Sequence, residues 1–264
     1  MRPVISFFVL TFFISWTLWS PLYFSKTINE FWALPGAWGP TIAAMILSYK
    51  KAGKKGISKL LGKIRITNVS FRYYLFALFV FLVLGAFSLG IYYTVKGQLP
   101  NMSVVLQGMG LENDQIVLAV VFSPLFFLIN TILGGPIAEE YGWRGYAQPR
   151  LQRKFSPLLS GLIIGMFWSL WHLPLFMFLP KAVGQMPIMA YMPLMITVGV
   201  IFSWLFNKTR GSVLLAILLH GGLNFSHGFL GAGLLNGNNL LVGIQVVLVI
   251  GLAVLLGFSK SMRK

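Results

Sequence analysis

The chain has 264 residues, 57% of them hydrophobic, with 21 basic residues against five acids and a net charge of +16. Its mean hydropathy of +0.79 is more than a water-soluble core of this length needs, so a helical protein of many membrane spans is expected. Cysteine is absent, which excludes disulfides and every cysteine-based metal site or nucleophile.

Apolar runs of about 20 residues, the length that crosses a hydrocarbon layer, recur at 4–24, 32–49, 73–95, 116–135, 157–179, 187–206, 212–230 and 240–259. They predict an all-α polytopic protein of about eight transmembrane helices. The second run is interrupted by Pro35, Gly36, Gly39 and Pro40, and the seventh carries two histidines and several glycines, so these two are the weakest. The first run is too long for a signal-peptide core and lacks a small-residue cleavage site; it reads as retained.

The charges follow the spans. With the N-terminus inside, only Lys26, Lys96 and Lys181 of the 21 basic residues fall outside. This alternation places both termini in the cytoplasm. The outside acids Glu30, Glu112 and Asp114 offset the outside bases, so the net charge lies on the cytoplasmic face. Topology accounts for the charge. No nucleic-acid motif accompanies it, and membrane lipid is the expected partner. The run 50-KKAGKKGISKLLGKIR-65 also reads as an interfacial helix on anionic lipid. Without an internal repeat or linker, residues 1–264 form a single integral membrane domain, with its telling polar residues within 134–230.

The first of these lie in 134-GGPIAEEYGWRGY-146. Pro136 after two glycines predicts an interrupted fourth span and a helix restarting there, with Glu139 and Glu140 in its first turns, where carboxylates are favoured. Arg144 follows Glu140 by four residues and can pair with it on one face. Glu139 points about 100° away and has no evident partner four residues on. Glu140 and Arg144 are therefore expected to form a structural clamp, and Glu139 to be the free carboxylate. The plainer reading makes both acids interfacial residues among cytoplasmic bases.

The fifth span carries 167-FWSLWHLP-174, with His172 inside the apolar run and Trp168 one turn before it. An ionisable residue within a span marks a functional site by default; the alternative is a neutral histidine bonded to another helix. Phe167, Trp168 and Trp171 read as packing residues. The seventh span carries 220-HGGLNF-225, where His220 and Asn224 share one helical face and Gly221 and Gly222 allow close approach. Both side chains can donate to one developing negative oxygen. His227 is expected nearer the outer surface in a structural role.

If Glu139, His172, His220 and Asn224 converge, they supply a carboxylate base, a second proton-handling group and a donor pair. Hydrolysis of an amide by activated water needs this set. Two other readings stay open on the residues alone. One is a non-catalytic immunity or scaffold protein that binds peptide in the same cavity. The other is a proton-coupled transporter, against which stands the lack of an inverted repeat.

The ordered set Glu-Glu-x-x-x-Arg at 139–144, aromatic-x-x-x-His at 168–172 and His-x-x-x-Asn at 220–224 resembles the three motifs of the CPBP family, the CAAX-protease and bacteriocin-processing intramembrane peptidases, which include the CAAX prenyl protease 2 type. The resemblance implies an intramembrane endopeptidase with Glu139 as catalytic carboxylate, His172 helping it activate water, His220 and Asn224 as the oxyanion site, and Glu140 and Arg144 as support. It implies a peptide or lipidated-protein substrate, prenylated CAAX-type or bacteriocin-like, and a bacterial cell membrane as the location. The family usually has Phe where this chain has Trp168; the aromatic packing should survive, with an altered pocket shape. A glutamate mechanism with no required cofactor is favoured. The alternative, a metalloendopeptidase, would place zinc on Glu139, His172 and His220, although the His-Glu-x-x-His signature is missing.

Overall fold

The computed structural model describes residues 2–24, 30–65, 68–101, 103, 106, 112, 115–179, 186–228, 232–235 and 237–263. Lys26, Asp114 and Lys181, the last two residues of the seventh candidate span, and Lys264 lie outside the described residues. The principal helices are α1 (Arg2–Trp19), α2 (Gly39–Leu61), α3 (Arg72–Lys96), α4 (Ile116–Leu133), α5 (Gly135–Glu140), α6 (Pro157–Trp171), α7 (Ile188–Lys208), α8 (Val213–Ser226) and α9 (Asn239–Gly257). No strand occurs among the described residues. The protein is an all-α polytopic membrane protein.

Local sequence explains the helix starts. Ser156 accepts from Leu159 N at the head of α6, with Pro157 in the first turn; Ser212 caps α8 through Leu215 N, and Asn238 caps α9 through Leu241 N. Among the described residues, six stretches are long and apolar enough to cross a membrane: Arg2–Phe24, Arg72–Lys96, Ile116–Leu151, Pro157–Phe178, Ile188–Lys208 and Asn239–Gly257. On α4, Val117, Val121 and Phe126 are each more than 60% exposed, which water would penalise and lipid accepts.

Two of the eight expected spans differ from the expectation. The second is split into a short Ala33–Ala37 helix and α2, because Pro35, Gly36 and Pro40 interrupt it. Helix α2 then runs into the basic segment and breaks at Ala52 and Gly53, where Gly53 takes φ +55°. The seventh is α8, which at 14 residues extends only about 21 Å, short of the ~30 Å hydrocarbon layer.

The basic segment after that break does more than lie on a surface. Lys63 Nζ donates to the Gly145 carbonyl at 2.6 Å, and Leu60 is buried. Arg150 and Arg153 act on Lys63 electrostatically, so bases from two loops that the charge pattern assigns to the cytoplasm meet on one side. Together with burial, which is the larger cause, they and Lys59 lower the Lys63 pKa from 10.5 to about 8.

The buried centre is built by α6 and α7. A side chain at Gly199 would meet the Gly161 carbonyl at 2.5 Å, and one at Gly165 would meet the Ile196 backbone at 2.7 Å. This close crossing brings the C-terminal end of α6 to the segment that follows α5.

Candidate active site

The fourth span ends at Leu133, Gly134 is extended, and α5 restarts at Gly135 with Pro136 in its first turn. The chain continues from Glu140 into a π-helical segment, Tyr141–Ala147, in which every residue is buried. π-helical turns often mark functional sites. Glu139 is 4% exposed; Glu140 and Arg144 are fully buried.

The expected Glu140–Arg144 pair forms, with Nη1 of Arg144 donating to Oε1 of Glu140 at 2.8 Å. The same oxygen accepts from Nδ1 of His220 at 2.9 Å, since a carboxylate paired with arginine can only accept. The Arg144 guanidinium also lies over Phe202 at 3.9 Å and over Trp168 at 4.6 Å.

Glu139 is not the free carboxylate that spacing suggested. Its Oε2 accepts from the indole N–H groups of Trp168 at 2.6 Å and Trp143 at 3.2 Å. Trp143 stands four residues on, where no partner was expected, and its N–H belongs to a side chain without charge. Trp168 does more than pack: it is a hydrogen-bond donor.

His172 does not sit within an unbroken helix. Helix α6 ends at Trp171, and Leu173–Phe178 forms a separate turn. Pro174 brings no N–H to the preceding turn. The His172 backbone N–H bonds to the Ser169 carbonyl, and the Trp168 carbonyl accepts from His172 Nδ1 at 2.7 Å. Trp16 Nε1 takes the Trp171 carbonyl at 3.1 Å. With Nδ1–H donated to a carbonyl, the neutral ring of His172 carries its lone pair on Nε2.

Glu139, His172, His220 and Asn224 all line one cavity of about 310 Å³. His227 lines it too. The sequence reading missed Asn130, a cavity residue on α4 whose Oδ1 accepts from Asn224 Nδ2 at 3.3 Å, and Tyr191, whose ring packs edge-on against His172 at 5.6 Å. Glu140 and Arg144 stand behind the cavity wall rather than on it.

Among the described residues, no group of three His, Cys, Asp or Glu side chains is placed to hold a metal. Glu139 Oε2 accepts from two indoles, and Nδ1 of His172 and of His220 bonds to an acceptor, which leaves Nε2 as the atom each of these two rings can offer. Glu139, His172 and His220 are not drawn into such a group, and no step is derived through a metal.

A family description, type II CAAX prenyl endopeptidase Rce1-like, matches residues 121–226. Over these residues the chain is similar to the Rce1-like family. The matched stretch runs from α4 through α8 and contains all three motifs. The chain is also 28% identical over 240 residues to CAAX prenyl protease 2 of Methanococcus maripaludis, covering 83% of this chain and 82% of that protein. The matching description is that of a protease family, and the long apolar helices are those of an integral membrane protein.

Proposed function

We propose that the protein is an intramembrane endopeptidase that uses activated water. One observation carries this reading: a carboxylate, two imidazoles and a carboxamide from three chain segments line a single cavity in a membrane protein.

Glu139 accepts a proton from water, whose second O–H is held by the lone pair on His172 Nε2. The water oxygen attacks the scissile carbonyl carbon. The resulting oxyanion is met by the Asn224 carboxamide N–H and by His220. Because Nδ1–H of His220 is given to Glu140, a donor at Nε2 requires the doubly protonated ring. Glu140 stabilises that charge and fixes the ring. The proton held by Glu139 passes to the leaving nitrogen, the C–N bond breaks, and a carboxyl and an amine product form.

The similarity to CAAX prenyl protease 2 supports a prenylated CAAX-type peptide as substrate. Other membrane-associated peptides, bacteriocin precursors among them, fit the same chemistry. The cell membrane is the proposed location, with the basic face in the cytoplasm. Incubation with a prenylated CAAX-type peptide, its unprenylated twin and a bacteriocin-like leader peptide, followed by product mass, tests this. One internal cut in any of them is expected. No cut in any of the three would favour a non-catalytic peptide-binding protein.

A further inference from the structure

We propose that Trp168 is a positioning residue which, with Trp143, holds Glu139 by one oxygen so that the other alone serves as the base. This rests on the reading of Glu139 as the proton acceptor.

The geometry is asymmetric. Both indole N–H groups reach Oε2, and Trp168 does so at 2.6 Å, shorter than an ordinary N–H···O bond, the direction in which a charged acceptor draws a donor. Oε1 has no hydrogen-bond partner among the described residues. It lies where Gly135 has no side chain: a Cβ there would stand 2.5 Å from Oε1 and 3.5 Å from His220 Cε1. A glutamate side chain loses rotamer freedom when it is fixed. Two donors on one oxygen place that cost in the folded enzyme, before substrate binds.

Trp168 is suited to this because its other contacts fix the indole itself. The ring is 1% exposed, lies under the Arg144 guanidinium, and meets Phe202 edge-on at 5.5 Å and His220 edge-on at 5.1 Å. A phenylalanine here would keep much of that packing and offer no N–H. The substitution that sets this chain apart from the usual motif therefore adds a donor to the carboxylate, where the sequence suggested only a change of pocket shape.

The parent, Glu139→Ala, Trp168→Phe and Trp143→Phe would be purified in one detergent. Each would be labelled with ¹⁵N-tryptophan to follow the indole N–H resonances of the chain's eight tryptophans. Cleavage of a quenched, prenylated CAAX-type peptide would be measured alongside. Glu139→Ala should shift two indole resonances, the same two that disappear singly in the Trp143 and Trp168 variants. Trp168→Phe should lower kcat about 10- to 100-fold, with KM within about twofold, as expected for loss of a hydrogen bond to a charged group. A merely structural role would lower thermal stability and leave kcat in place. If Trp168→Phe fails to fold, Trp143→Phe carries the same comparison with a smaller expected loss. Unmoved indole resonances in Glu139→Ala would overturn the proposal. So would an unchanged kcat in Trp168→Phe beside an inactive Glu139→Ala, with the peptidase reading intact. An active Glu139→Ala would instead sink that reading, and this proposal with it.

Discussion

Glu140 and His220 are joined by a 2.9 Å hydrogen bond across 80 residues of chain, on the same carboxylate oxygen that binds Arg144. This one oxygen ties α5, the π-helical segment and α8 together. The two acids of the Glu-Glu pair are thus divided by partners: Glu139 by the indoles of Trp168 and Trp143, Glu140 by Arg144 and His220.

Removing Glu140 leaves a fully buried guanidinium without its counter-charge. Glu140→Ala should therefore destabilise the fold by about 3–5 kcal/mol, read as a drop in thermal unfolding temperature in detergent. The double variant Glu140→Leu with Arg144→Met should recover part of that loss, since neither charge is then stranded. A stability equal to the parent's in Glu140→Ala would contradict the clamp.

Gly135→Ala places a methyl against Glu139 Oε1. The side chain cannot swing away freely, because two indoles hold its other oxygen. Cleavage should fall at least about tenfold while thermal stability changes by less than about 1 kcal/mol, alanine being a good helix former. Normal cleavage would mean that Oε1 has room to spare and does not act from the position seen.

Asn130 accepts from Asn224 Nδ2 and so keeps an N–H of that carboxamide toward the cavity. Asn130→Leu frees Asn224 to turn its oxygen inward. A fall in kcat of about tenfold, the worth of about one hydrogen bond, is expected with KM little changed. Asn130→Asp keeps the acceptor and should retain more activity than Asn130→Leu. The reverse order would exclude this role.

Lys63 gives a pH dependence away from the cavity. In the fold it loses its proton at about 8, whereas an unperturbed lysine does so at 10.5. Between these values the unfolded chain binds more protons, so stability rises with pH through this window. Below it both states are protonated and the fold bears the full cost of the buried charge. Unfolding temperature measured from pH 7.5 to 10.5 should therefore rise in the parent more steeply than in Lys63→Met. Parallel curves would refute the effect.

Much of this was legible because it is local. The break at Pro136, the pairing of Glu140 with Arg144 and the shared face of His220 and Asn224 follow from backbone chemistry and a spacing of four. The Trp143 bond to Glu139 has the same spacing of four, but it joins an indole N–H to a carboxylate, a pair that charge patterning does not mark. The Trp168 and Asn130 contacts cross 29 and 94 residues, and no period in one sequence encodes them. The break of α6 at His172 was signalled by Pro174, but the apolar run hid it. The second and seventh spans, already the weakest of the eight, depart for a related reason: hydropathy counts apolar residues, and proline or a shortened helix decides whether they form one straight rod.

The central claim is that Glu139 moves a proton, and Glu139→Gln tests it most directly. Glutamine keeps the shape and can still accept both indole N–H bonds, so the fold and peptide binding should survive. Parent and variant would be compared, at equal unfolding temperature, for cleavage of a quenched, prenylated CAAX-type peptide and for binding of the same peptide. The account predicts retained binding with kcat reduced at least about a thousandfold, as for loss of a general base together with its positioning. Cleavage at the parental rate would contradict it.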